Sequence, residues 1–251
     1  MASFYFEELS TPALFFGPSG VLSLYASGLT TGTVLSVGHH ATTVTPVYEG
    51  LCLSHSVTGT SVAGARVDDM FVKSLREECG LHLTSSSDIV TARTLKQKCG
   101  IVSPPGADAP APADFLLPDG TPVSLPGAVR TQPYEVLFNP SLAGLEEPPV
   151  PLQLHQGITS ADRELRARLY ESVVLAGGTT MASGFGQRLL TELRARAPQH
   201  TKVKITAPLE RESSAWVGGS ILASLSTFKN LWISREQWLE EGEAALRVKM
   251  L

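Results

Sequence analysis

Apolar positions along the chain follow two different periods, and the switches between them divide it into strands and helices. Runs rich in Val, Thr and Leu at Thr33–Val37, Thr42–Val47 and Leu51–Val57 are separated by turn residues and predict an antiparallel meander. Thr11–Phe16 reads as a further strand, and Val21–Ala26 as a short helix ended by Gly28. From Gly64 the period becomes helical: Val67, Met70, Phe71 and Leu75 share a face as far as Gly80. Ser85–Asp88 carries capping chemistry for a second helix through Lys98. Leu116–Leu125 reads as a hairpin around Asp119-Gly120, and Ser160–Tyr170 as a helix with Asp162 in its acidic first turn. Val203–Thr206 is strand-like, and Ala215–Phe228 is an apolar helix rich in small residues. Ser234-Arg-Glu-Gln237 is a capping box for a last helix closed by Gly242.

The central stretch is Glu171-Ser-Val-Val-Leu-Ala-Gly-Gly-Thr-Thr-Met181. Val173–Leu175 is a short apolar run of the kind that forms a fully buried strand. Gly177 and Gly178 allow a tight turn, and Thr179, Thr180 or Ser183 can cap the helix that follows. In that helix Phe185, Leu189, Leu190 and Leu193 share a face, and Pro198 stops it. A strand–Gly-Gly–helix junction presents backbone N–H groups that favour an anion, although a double glycine also suits a plain turn.

Composition narrows the classes. The 251 residues are 43% hydrophobic and 18% charged, ordinary for a globular chain of one or two domains. A formal net charge of −4 and the lack of a basic stretch argue against a nucleic-acid partner. Cys52, Cys79 and Cys99 are an odd number without metal-ligand spacing, and read as reduced structural thiols. Met1–Glu8 lacks the pattern of a secretory leader, and no apolar run is long enough to span a bilayer, so a cytosolic location is expected. Ser103–Ala113 is Pro- and Ala-rich and is expected to be a mobile loop.

Leu175-Ala-Gly-Gly-Thr-Thr-Met181 resembles the adenosine-contacting loop of the actin family. Trp216-Val-Gly-Gly-Ser-Ile-Leu-Ala-Ser-Leu-Ser-Thr-Phe228 and Trp232-Ile-Ser234 look like the family's C-terminal signature. Thr11-Pro-Ala13, Val21–Gly28, Pro46-Val-Tyr-Glu-Gly50, Leu117-Pro-Asp-Gly120 and Asn139-Pro-Ser-Leu142 match in the same register. The chain is similar to a divergent actin-like protein of the testis-expressed type. The resemblance implies an α/β, actin-type ATPase (ribonuclease-H-like) fold, incomplete, lacking much of the first half. Residues 1–26 and 214–251 would be remnants of the first subdomain. Residues 27–62 and 146–213 would form a sheet-containing core like the third subdomain. Residues 63–145 would be a helical insertion like the fourth, with the mobile loop at 103–113. The part of the family chain that precedes Thr11 holds the first phosphate hairpin and the filament-docking loop, so the cleft would lack one wall.

The resemblance also marks what has changed. The family's second phosphate loop, Asp-Ser-Gly-Asp-Gly-Val-Thr-His in type, reads here Ser36-Val-Gly-His-His-Ala-Thr-Thr43. Ser36 and His39 replace its acidic positions, His40 its second glycine, and Thr43 its water-orienting histidine; Ser19 replaces a glutamine with a similar role. Hydrolysis needs metal support and an oriented water, so it is expected to be lost. The adjacent imidazoles have no third ligand at helpful spacing, so no metal site is expected. Gly64, Arg93, Lys96, Gly177, Gly178, Thr179 and Met181 match positions near the adenosine, while Gln97 and Glu212 replace a ribose-binding glutamate and a lysine. Nucleotide contact is expected to be weak or vestigial: no cofactor, or weakly bound ATP or ADP.

A partner groove is implied at Tyr25, Ala26, Gly28, Thr30, Gly50, Ile221, Leu222, Leu225, Thr227 and Leu231, residues that also suit an ordinary core. The expectation is a non-catalytic protein of the cytoplasm and cytoskeleton. It would act through contacts with cytoskeletal proteins, actin or actin-binding proteins among them. Two other readings stand beside it: an ATP-binding, filament-forming or copolymerising protein, and a subunit of a chromatin-remodelling complex.

Overall fold

A computed structural model describes residues 1–83, 85–117 and 120–249. In chain order the strands are β1 (Ala13–Leu14), β2 (Gly32–Val37), β3 (Thr42–Tyr48), β4 (Leu51–Cys52), β5 (Thr58–Thr60), β6 (Ala113–Leu116), β7 (Pro122–Leu125), β8 (Val173–Ala176), β9 (Ile205–Thr206) and β10 (Ile233–Ser234). The helices are α1 (Ser19–Ala26), α2 (Gly64–Cys79), α3 (Ser86–Cys99), α4 (Gly127–Thr131), α5 (Val150–Thr159), α6 (Arg166–Glu171), α7 (Phe185–Arg196), α8 (Ser214–Ser224), α9 (Arg235–Glu241) and α10 (Ala244–Lys249). Short π and 3-10 turns connect several of them.

The central sheet runs β4-β3-β2-β8-β9, with β5 also pairing β3. β2 is antiparallel to β3 and parallel to β8, and β8 is parallel to β9. All four residues of β8 are buried, because helices cover both faces of a strand at the middle of the sheet. On one face α5 and α7 close a core that includes Leu35, Val44, Leu154, Leu175, Phe185 and Leu189. On the other, α1 packs Val21 and Leu24 against Val34, Val47 and Val174. Helix α8 lies on α1 so closely that a Cβ on Gly218 would meet the Leu22 carbonyl oxygen at 1.7 Å. A separate cluster of Phe71, Leu75, Leu95, Cys99, Leu125 and Val129 holds α2, α3 and the β6–β7 hairpin together. Val67, Tyr134 and Leu137, from the same part of the chain, belong instead to the sheet's core.

Several expectations are corrected. Leu51–Val57 is not one strand. β4 stops at Cys52, a 3-10 turn spans Ser54–Ser56, and pairing resumes in β5. The Leu53 amide donates to the Pro46 carbonyl at 2.9 Å, so Pro46 faces this edge, where it has no N–H to give. The partner strand loops out there. The helix expected at Ser160–Tyr170 begins only at Arg166, and Asp162 lies in the turn before it. The preceding residues form α5, which opens at Pro149-Val-Pro151 and buries Val150, Leu154 and Ile158 at four-residue spacing. Strand β1 is limited to Ala13–Leu14, where it pairs β10. The helix expected through Phe228 ends at Ser224 and passes into a 3-10 turn.

Other signals hold. Gly80 caps α2 in the left-handed conformation, and Ser85 and Ser234 each form a reciprocal capping box. The β6–β7 hairpin is present, although Asp119 at its turn lies outside the described residues. The Pro- and Ala-rich segment is irregular but tied at both ends. Arg188 donates to the Ser103 carbonyl at 2.6 Å and Arg130 to the Ala111 carbonyl at 2.6 Å. Between β5 and α5 the chain is pinned by Glu147, whose carboxylate accepts from the Ser61 amide at 2.7 Å, the Ser61 hydroxyl at 2.5 Å and the Thr60 hydroxyl.

Candidate functional site

The site is a cleft of about 520 Å³ where the β2–β3 turn, α2, α3 and the segment after β8 converge. It forms there because parallel strands end together and the chain must leave the sheet at their carboxyl ends. Gly177 follows β8 with φ +86°, and a Cβ on it would lie 2.4 Å from the Val37 carbonyl oxygen. Only glycine meets both demands. Gly64 opens α2 directly beneath: a Cβ there would lie 2.4 Å from Thr179 Oγ1 and 3.0 Å from the Gly38 carbonyl oxygen. Gly178 is different, with open space around its Cβ position.

The threonines do not cap α7 as expected. Thr179 Oγ1 donates to the Gly38 carbonyl at 2.8 Å and Thr180 Oγ1 to the Gly177 carbonyl at 2.7 Å. Gly184, with φ +84°, takes the cap position without a side-chain bond. The glycine turn's own amides are drawn into the fold: Gly177 N–H donates to the Arg211 carbonyl at 3.0 Å, and Thr180 N–H to the Gly177 carbonyl at 3.1 Å. Arg211 returns two bonds to Thr180, through Nε to Oγ1 at 3.0 Å and Nη2 to the carbonyl at 2.8 Å. Desolvation holds the Arg211 guanidinium below its ordinary pKa.

The cations of the cleft come from α3. Arg93 and Lys96 are three residues apart, so they share a face toward α2. Both bind Asp68, one through Arg93 Nε to Oδ2 at 3.0 Å and the other through Lys96 Nζ to Oδ1. The side chains of Asp68 and Lys96 are only 13% and 11% exposed, so solvent screens this pair little. Arg93 Nη2 lies 3.1 Å from His39 Nε2, and His39 Nδ1 is 3.6 Å from Asp68 Oδ2. A guanidinium can only donate, so His39 accepts at Nε2 and carries its proton on Nδ1. Desolvation and then the Arg93 charge push the His39 pKa down. Tyr134 closes the wall, its hydroxyl 3.5 Å from the Lys96 carbonyl, and burial drives its pKa up.

Of the residues read as nucleotide contacts, Arg93, Lys96, Gly178, Thr179 and Met181 line this cleft, with Gln97 and Glu212. Gly64 and Gly177 lie under it and act through the backbone. His39 reaches it; Ser36 and Thr43 do not, being cross-strand partners in the β2–β3 ladder. Ser19 begins α1 and is exposed. Sequence reasoning missed Asp68 and Tyr134. Asp68 meets its two cations only because α2 lies beside α3, a contact 25 and 28 positions long that no spacing within either helix marks.

The residues do not fit a magnesium polyphosphate. The two cations are already held by Asp68, and Glu212 adds a second carboxylate to the lining. Two cations against two carboxylates leave no excess positive charge to meet phosphate. The β2–β3 turn contributes the His39 imidazole, and its Gly38 carbonyl is taken by Thr179 and by the Gly64 amide. Among the described residues no group of three His, Cys, Asp or Glu stands together as a metal site.

The groove residues fall into two sets. The Tyr25 hydroxyl lies 3.4 Å from the Gly50 carbonyl oxygen, and the Gly50 amide donates to the Thr30 carbonyl at 2.8 Å. Ile221 and Leu225 are exposed, as are Gly28, Thr30 and Thr227, while Tyr25, Ala26 and Leu231 are half-buried. Leu222 is buried and faces inward, a correction to its place in the groove. No helix among the described residues is long and apolar enough to cross a membrane.

Comparison with known proteins accounts for the architecture. The family model described as Actin matches residues 1–102 and 82–251. An actin-like protein of Neurospora crassa is 38% identical over 253 residues, covering 96% of this chain and 66% of its own length. The chain therefore spans just under two thirds of that relative. With the family model matching from end to end, the chain belongs to the actin family, and its mixed α/β architecture is the actin-type fold.

Proposed function

We propose that this protein is a non-catalytic member of the family that works through protein–protein contacts in the cytoplasmic cytoskeleton. The actin family usually binds ATP or ADP. The observation that carries the reading is the β2–β3 turn. Its tip brings the His39 ring, with His40 4.3 Å away at 74°, to a cleft that in an ATPase needs carboxylates to support a metal. Its Gly38 backbone is committed to Thr179 and Gly64. A turn used this way braces the cleft and does not activate water. The exposed Ile221 and Leu225, at the end of a helix that packs on α1, supply apolar area for actin or an actin-binding protein.

Two assays of the purified chain test this. Phosphate release from magnesium ATP is expected to stay at the level of heat-inactivated protein. Turnover that a Gly178→Asp variant abolishes would overturn the reading and restore an ATP-dependent, filament-forming one. Co-sedimentation with purified actin filaments is expected for the wild type and lost in Leu225→Asp. Sedimentation unchanged by that substitution would remove the groove from the proposal.

A further inference from the structure

Asp68 stands on α2, in the second turn after Gly64, and points across the cleft to α3. It is a single carboxylate with three basic neighbours. Arg93 and Lys96 each bind one of its oxygens, and the His39 ring lies 3.6 Å from Oδ2. The geometry is that of an anion held in a cationic cradle, except that the anion is covalently part of the chain. A tethered partner needs no diffusional encounter and keeps its effective concentration far above that of a free ligand.

We infer that Asp68 is the specificity-determining residue of the cleft, an internal anion that fills the Arg93–Lys96 pair and turns away phosphate-bearing small molecules. This rests on the proposed non-catalytic reading and gives it a cause within one side chain. An incoming phosphate must displace Asp68 from both cations and leave that carboxylate beside it, with Glu212 also facing the space. Removing the charge while keeping the shape releases Arg93 and Lys96 to a phosphate, which Arg binds through paired N–H groups. No rebuilding of the backbone is required, because Gly178 leaves open space beside the cradle.

The test compares Asp68→Asn and Asp68→Ser with Asp69→Asn in the full chain, using inorganic tripolyphosphate and ATP as probes in calorimetry. Asp69 is its neighbour on α2, is 69% exposed, and contacts only Arg66 among the basic groups named here, so its variant changes net charge equally outside the cleft. Both Asp68 variants are expected to bind tripolyphosphate at least about tenfold more tightly than wild type, and Asp69→Asn no more than about twofold. Equal gains at both positions would reduce the effect to net charge and overturn the inference. So would wild-type binding as tight as that of Asp68→Asn.

A measurement on the wild type alone covers the case in which the variants do not fold. Phenylglyoxal modification of Arg93, which is 46% exposed, is expected to proceed at the same rate with and without tripolyphosphate. Protection by tripolyphosphate would show the cradle open to external anions and sink the inference. The two readings fail separately. ATP turnover by wild type defeats the non-catalytic proposal, whereas the inference stands or falls on the contrast between positions 68 and 69 and on Arg93 protection.

Discussion

Phe6 lies against Trp238 with ring centroids 5.3 Å apart and planes at 19°, so the first turn of the chain is stacked on its last helices. Around them Ala2, Ile233 and Ala245 complete a small buried cluster. The β1–β10 pair supplies only two residue pairs, too few to hold this end alone. Replacing Phe6 with alanine is expected to cost about 3 kcal/mol, near the lower end for a buried aromatic because the cluster is small. Denaturant unfolding followed by tryptophan fluorescence checks it. An unchanged midpoint would mean that the N-terminal turn does not contribute to the folded state.

Arg188 is a buried cation with several partners. Its side chain is 8% exposed and pairs with Glu135 through both terminal nitrogens at 3.1 Å and with Glu192 through Nε at 2.7 Å. Phe138 lies 4.6 Å beneath the guanidinium. Arg188→Ala is expected to cost about 3 kcal/mol, because it strips Glu135 of its cation and leaves Glu192 with Arg196 alone. Arg188→Lys is expected to recover only part of this, as an ammonium cannot form the paired contact. Equal midpoints for the alanine and lysine variants would show that geometry, not charge, carries the whole effect.

The Glu147 clamp predicts a pH dependence. Hydrogen bonds from the Ser61 and Thr60 side chains hold the Glu147 carboxyl below its ordinary 4.5. The folded state therefore binds this proton less readily than the unfolded chain. The stabilisation is complete above about pH 4.5 and is lost as pH falls through the lower, folded-state value. At neutral pH Glu147→Gln is expected to be less stable by about 1 kcal/mol, discounted for exposure. Unfolding midpoints of both proteins from pH 7 to pH 3 should converge at the acid end. A constant gap would show that the charge plays no part.

The paired glycines after β8 are predicted to differ. Gly177→Ala forces a side chain into φ +86° and onto the Val37 carbonyl, and is expected to cost about 2–3 kcal/mol. Gly178→Ala adds a methyl to open space and is expected to fall within about 0.5 kcal/mol of wild type. Melting temperatures separate the two directly. Similar losses would mean that Gly178 carries a backbone demand of its own.

Local signals were legible where one segment decides its own structure. The buried β8, the Gly80 cap and the capping boxes at Ser85 and Ser234 are fixed by residues within a few positions of each other. Helix α5 has no counterpart in the sequence reading, although Pro149 and Pro151 suit a helix's N-terminus and first turn. Its burial depends on Gly157 approaching Val44, a contact between segments far apart in sequence. Ser183 and the threonines of the central turn were expected to cap a helix. Thr179 instead bonds to Gly38, 141 positions away, and no local rule anticipates that. In the cleft, the cations could be found from sequence but their neutralisation by Asp68 could not, since it requires α2 and α3 side by side.

The bonds between Ser61 and Glu147 join residues 86 positions apart. They close a ring of chain whose circumference the sheet does not sense, because β5 on one side and α5 on the other are fixed at the knot. Lengthening a flexible part of such a ring costs little, about 0.6 kcal/mol for each doubling. Drift in length within the ring, at the Pro- and Ala-rich stretch above all, is therefore decoupled from the register of β2, β3 and β8.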